Sequence, residues 1–146
     1  MECKSPALAV DIIIEMGNGG IVLIRRKNPP HGWAIPGGFV DYGESMETAA
    51  VREAEEETMQ KITLTRHLHT YSDPSRDPRF HTVSSVYVAV AEGEPQGADD
   101  AMEARIFKMN ALPENIVFDH RKILADYTVR KDGFLDDCGI SPLNSA

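Results

Sequence analysis

Hydrophobic positions along the chain follow two periods, and the change of period locates its elements. Residues 7–15, ALAVDIIIE, form a Val- and Ile-rich run that reads as a strand. GNGG at 17–20 supplies a turn and IVLIRRK continues as a second strand, which predicts a hairpin. NPPHGW, 28–33, carries the Pro and Gly of a loop, and AIPGGFVDYGE is a short extended segment interrupted by Pro36, Gly37 and Gly38. The period then lengthens to that of a helix. Ser45 is placed to cap a helix running to about Thr58, with Glu47 in its first turn and Thr48 where a capping box needs Glu or Gln. ITLTRHLHTY, 62–71, alternates as a strand, SDPSRDPR is a loop, and HTVSSVYVAVA, 81–91, is the strongest β run in the chain. An acidic, Gly-containing loop from 92 to about 103 precedes a short strand, RIFKM. FDHRKILADYTVRKDG then reads as a helix stopped at Gly133, leaving a flexible tail of about 134–146. Strands around two helices in 146 residues, without internal repeat or linker, predict one mixed α/β (α+β) domain spanning the chain.

Composition narrows the function classes. Hydrophobic residues at 42% and charged residues at 26% are typical of a soluble globular protein. No apolar run approaches the roughly 20 residues of a membrane helix, and ALAVDIII is broken by Asp11 and lacks a signal-peptide layout, so a cytoplasmic protein without a membrane partner is expected. Cys3 and Cys138 lie near opposite ends, outside any CxxC arrangement, and are expected to be free thiols. A formal net charge of -8 argues against binding a nucleic acid polymer through its phosphates. An anionic ligand would therefore need a mediating cation.

VREAEEE, 51–57, sets a sharper problem, because it packs four glutamates beside one arginine. At about 100° per residue Glu53, Glu56 and Glu57 share one arc of the helix while Glu55 points to the other side. A solvated charged face is the plain alternative. Against it, Met46, Ala49 and Ala50 lie upstream on the same arc, and such small or flexible residues let this side approach other backbone, so the carboxylates are expected to border a cleft. Partly desolvated anions raise one another's pKa unless counter-charges are present, and Arg52 supplies one. The chemistry that fits is a hard divalent cation, Mg²⁺ or Mn²⁺, which takes carboxylate and carbonyl oxygens and completes its shell with water and substrate phosphate.

From Gly38, five residues lead to Glu44, seven more to Arg52-Glu53, then Ala54, Glu55 and Glu56-Glu57. This spacing resembles the box of the Nudix hydrolases, G-x5-E-x7-R-E-U-x-E-E-x-G-U, with U apolar. Six fixed identities at about 7% each are expected by chance on the order of once in ten million starting positions. The box covers 38–60, and the preceding PG, strand order and later helix extend the resemblance over most of the chain. The chain departs from the pattern at Met59, where the box has Gly, and at Gln60, where it has an apolar residue. Without that glycine the helix must either continue or end in a strained left-handed residue.

The resemblance implies an α/β/α sandwich around a central mixed sheet, and a Mg²⁺- or Mn²⁺-dependent hydrolase of a nucleoside diphosphate linked to another group. Carried over residue by residue, Glu53, Glu56 and Glu57 would be metal ligands together with a carbonyl of the Gly pair, Gly37. Arg52 would orient Glu44 or Glu53. Glu53 or Glu57 would act as general base, or else an acid of a later loop, Asp99, Asp100 or Glu103, for which a solvated acidic turn is the competing reading.

YSDPSRDPRFHTVS, 71–84, looks like the segment found in the ADP-ribose pyrophosphatase group, with Phe80 where Gly is more frequent. Arg76 and Arg79 suit either bidentate binding of phosphate or pairing with Asp73 and Asp77 to stiffen the loop. The rings of Trp33, just before the box, and Phe118, taken as the start of the last helix, either stack on a purine or pack in the core. No chemistry is assigned to the five histidines. The favoured small-molecule substrate is ADP-ribose, giving AMP and ribose 5-phosphate. The rivals are hydrolysis of oxidised nucleoside triphosphates and a catalytically silent nucleotide-sensing module. A homodimer through the amino-terminal strand stays open.

Overall fold

The computed structural model describes residues 3–132. The expected helix stop at Gly133, the tail and Cys138 lie outside them. Strand β1 (Ala7–Glu15) runs parallel to β6 (Thr82–Ala91) along its whole length, from Ala7 opposite Thr82 to Glu15 opposite Val90. The hairpin partner β2 (Ile21–Arg26) meets β1 only beside the turn, at Glu15 and Ile21, and then splays away to pair with β3 (Trp33–Ala34) and β7 (Ala101–Phe107). Into the wedge between them comes β4 (Gly37–Phe39), which sets Gly37 opposite Asp11 and Gly38 opposite Val10. With β5 (Ile62–Tyr71) on the outer edge of β6, the main path of the mixed sheet is β3-β2-β1-β6-β5.

One helix covers each face. Alternation along β1 turns Val10, Ile12 and Ile14 toward α1 (Met46–Thr58), where Ala49, Ala50 and Ala54 are fully buried and hold the helix close to the sheet. Ile13 faces the other way and packs with Ile123, Leu124 and Tyr127 of α2 (His120–Asp132). This is the expected sandwich. Among the described residues no helix is long and apolar enough to cross a membrane.

Three boundaries depart from the sequence reading. Trp33 lies in a short strand rather than in the loop. The seventh strand starts at Ala101, so that Glu103 belongs to it. Phe118 precedes α2, with φ of 58°, and His120 is the first helical residue. Met59 resolves the choice posed by the missing glycine: it ends α1 in the left-handed region, φ 58° and ψ 26°, while its N–H donates to Glu55 O and its side chain stays exposed. Gln60 is buried and donates to Gly93 O at 3.0 Å, a polar contact in place of the apolar one the box pattern has.

Candidate active site

The wedge between β1 and β2 opens into a cleft whose lining includes Asp11, Arg26, Gly37, Phe39, Glu53, Glu57, Asp77, Arg79, Asp100, Phe118 and His120. Its acidic wall is α1. Glu57 is 5% exposed and its Oε2 accepts the Gly37 N–H at 3.1 Å. Burial pushes the Glu57 carboxyl up to about 8, an effect that this hydrogen bond lessens and the nearby charges of Glu53 and Asp11 increase. Burial likewise raises Glu53, against the opposing pull of Arg52. The glycine pair is a steric requirement of this wall. A Cβ on Gly38 would stand 2.4 Å from the Glu53 carboxyl carbon, and one on Gly37 would stand 2.1 Å from Val10 O and 2.4 Å from Asp11 Oδ1.

Arg52 organises the acids from behind. Its Nε and Nη2 donate to the two oxygens of Glu44 at 2.7 and 2.8 Å, Nη1 donates to Glu53 at 2.9 Å and Glu56 at 3.2 Å, and Nη2 also reaches Phe39 O. The bidentate pair holds the Glu44 carboxyl well below the usual range and the guanidinium above its own. Glu44 therefore positions Arg52 and does not line the cleft. Glu56, its side chain 42% exposed, turns to the rim, so the shared arc delivers two of its three carboxylates, Glu53 and Glu57, to the cleft wall.

The loop before β7 is tied to the same helix: Ala98 and Gln96 N–H groups donate to the terminal carbonyls of Glu57 and Thr58. This anchoring brings Asp100 to the cleft. Of the three loop acids named from sequence, Asp100 alone lines it; Asp99 takes a left-handed φ of 54°, and Glu103 pairs with Arg105 at 2.7 Å.

The opposite wall is cationic and aromatic. The Arg26 guanidinium lies 4.9 Å from the Phe118 centroid and that of Arg79 lies 5.2 Å from it. Burial lowers Arg26, and the like charge of Arg79 lowers it further, which leaves the pair suited to an anion. Arg79 is also held by Asp77 at 2.8 Å, the pairing that the loop-stiffening reading expects, and it lines the cleft as well. Arg76 does not pair as that reading expects. Buried at the cleft floor, its side chain pairs with Asp119 at 2.9 and 2.7 Å and with Thr82, not with Asp73 or Asp77. Trp33 is corrected too: it does not line the cleft, and its ring packs edge-on to Phe107 at 4.9 Å.

Sequence reasoning missed Arg26, Asp11 and His120. Asp11 had a signal, since a charge in the middle of an otherwise apolar strand must be paired or functional. Arg26 and His120 had none, because their place depends on the divergence of β2 and on where α2 starts.

The donors on the acidic wall are carboxylate and backbone oxygens without nitrogen or sulfur, the set a hard divalent ion prefers. Among the described residues no three His, Cys, Asp or Glu side chains converge as a closed ligand cage, since Arg52 engages Glu53 and Glu56. The fit to Mg²⁺ or Mn²⁺ thus lies in the kind of donor and in the buried, elevated Glu57.

The pattern described as NUDIX domain matches residues 5–127. An ADP-ribose pyrophosphatase of Methanocaldococcus jannaschii is 49% identical over 131 residues, covering 88% of this chain and 76% of the relative. A MutT NUDIX hydrolase structure from Burkholderia pseudomallei is similar at a TM-score of 0.71 and 32% identity, over 84% of this chain and 98% of that one. A bifunctional NMN adenylyltransferase/ADP ribose pyrophosphatase from Francisella tularensis gives a TM-score of 0.76 at 26% identity over 89% of this chain, which spans 42% of that protein.

Proposed function

We propose, for a chain that belongs to the Nudix family, hydrolysis of ADP-ribose to AMP and ribose 5-phosphate. The observation that carries this reading is the polarity of one cleft: half-buried Glu53 and buried Glu57 beside Gly37 and Gly38 on one wall, Arg26 and Arg79 around Phe118 on the other. A nucleoside diphosphate sugar matches both walls, and the 49% identity to an ADP-ribose pyrophosphatase supports the choice of sugar. Mg²⁺ or Mn²⁺ would be held by Glu53, Glu56, Glu57 and a carbonyl at Gly37. When bound, the ion neutralises phosphate charge and makes a coordinated water more acidic. Arg79 and Arg26 bind the anionic diphosphate, and Phe118 offers its ring to the base. Asp100, a cleft carboxylate outside the box, takes the proton of the attacking water as its oxygen joins phosphorus and the bridging P–O bond breaks.

Incubation of the protein with Mg²⁺ and ADP-ribose is expected to release AMP and ribose 5-phosphate by mass. Inorganic pyrophosphate from oxidised nucleoside triphosphates as the sole product would favour the house-cleaning rival, and tight binding without turnover would favour the sensing module.

The ion must displace the Glu57 proton, so its affinity depends on pH. With Glu57 at about 8, Mn²⁺ affinity is expected to rise up to about tenfold per pH unit from pH 6 toward 8 and to level off above. Titration calorimetry checks this. An affinity flat across that window removes Glu57 from the ligand set.

A further inference from the structure

Two buried groups at the cleft floor have no task in the reaction as described. Asp11 faces it from β1, its side chain 11% exposed, and His120 faces it from the first position of α2, its side chain 4% exposed. Asp11 Oδ2 accepts the Ser84 hydroxyl at 2.5 Å, while Arg76, which donates to Asp119 and Thr82, stands 4.0 Å off. On His120, Nδ1 accepts the Ile35 N–H at 2.9 Å, which assigns the proton of the neutral ring to Nε2. That N–H and Asp11 Oδ1 lie 3.6 Å apart, beyond hydrogen-bond reach of each other, and neither has another hydrogen bond among the described residues. A donor and an anionic acceptor, carried on two otherwise buried side chains, are thus presented side by side to the cleft.

One atom satisfies both. A hydroxyl oxygen accepts from an N–H and donates to a carboxylate, whereas a phosphate oxygen would be repelled by Asp11 and offers no donor. Position selects the source of that hydroxyl. Asp11 is in register with Gly37, whose N–H holds Glu57, so the floor adjoins the diphosphate-cleaving wall. The groups directly joined to a diphosphate are its sugars. We propose that Asp11 Oδ1 and His120 Nε2–H together bind one ribose hydroxyl of the substrate and thereby set the preference for a ribose diphosphate. This rests on the reading of the cleft as a nucleoside diphosphate sugar site.

The test measures kcat/KM for ADP-ribose, for analogues lacking one ribose hydroxyl at a time, and for inosine diphosphate ribose, in wild type, Asp11→Asn and His120→Asn. Asparagine at 120 keeps an oxygen for the Ile35 N–H, and melting curves check folding. Wild type is expected to disfavour one deoxy analogue by at least about 100-fold, because a site built for a hydroxyl is left with unpaired groups without it. In both variants that ratio is expected to fall below about threefold, through loss on ADP-ribose alone. Wild type accepting every deletion within threefold overturns the proposal whether or not the variants fold. So do variants that weaken both substrates in proportion, an Asp11→Asn that lowers Mn²⁺ affinity with the ratio kept, or a ratio that collapses on changing the base instead. No turnover of any nucleoside diphosphate sugar by wild type removes the underlying reaction and this proposal with it, a result distinct from turnover without hydroxyl discrimination.

Discussion

Glu57→Gln is expected to lower turnover of ADP-ribose by at least about 100-fold while leaving the fold at least as stable as before. The substitution keeps the volume and an oxygen for the Gly37 N–H, and it removes the charge an ion would need. Linkage predicts how the two proteins differ without metal. Glu57 is raised from 4.5 to about 8 in the fold, so the folded chain holds a proton that the unfolded chain has lost. Stability from this group is therefore full below about pH 4.5 and is lost as pH rises toward 8, at up to about 1.4 kcal/mol per unit. The glutamine variant lacks that slope, and its melting temperature should pull ahead of wild type between pH 5 and 8. Asp100→Asn separates base from ligand: it should lose turnover while keeping Mn²⁺ affinity. Full activity in Glu57→Gln would end the metal assignment, and parallel melting curves across that range would mean that the carboxylate is not desolvated.

The local elements were legible because their signals are local. Ser45 caps α1 through its own side chain and the ends of β1, β2, α1 and β5 coincide with the change in hydrophobic period, so no distant partner decides them. The acidic wall was legible for a related reason, in that helical spacing alone places Glu53 and Glu57 together. Glu56 was not, since one turn of α1 serves both cleft and rim and only the position of Arg52 decides which acid goes where. The cationic wall was half hidden. Arg79 stood in a segment already suspect, but Arg26 reaches Phe118 across 92 residues of sequence because β2 leaves β1 after a single paired position. Arg76 shows the converse error, for nearby aspartates in sequence proved weaker competitors than Asp119, which α2 brings to the same floor.

The two glycines of β4 allow the fold and the chemistry to be perturbed separately, and Gly38→Ala is expected to abolish activity at little cost in stability. The three atoms nearest its Cβ would all belong to the carboxylate of Glu53, at 2.4 to 2.5 Å, and that side chain can swing aside. The fold keeps its packing while the α1 wall loses one of its two cleft-facing glutamates, so turnover should fall by at least about 100-fold and Mn²⁺ affinity should fall with it. Gly37→Ala meets Val10 O at 2.1 Å and the Asp11 Cα at 2.8 Å, main-chain atoms of the central strand that cannot swing aside. Overpacking against backbone falls at the upper end of about 1–3 kcal/mol, which should lower the melting temperature by several degrees. Circular dichroism melts beside Mn²⁺ titrations distinguish the two variants. A Gly38→Ala protein that retains wild-type metal affinity would show that Glu53 does not need the place beside β4 that the missing Cβ leaves open, and the two-carboxylate wall would have to be rebuilt without it.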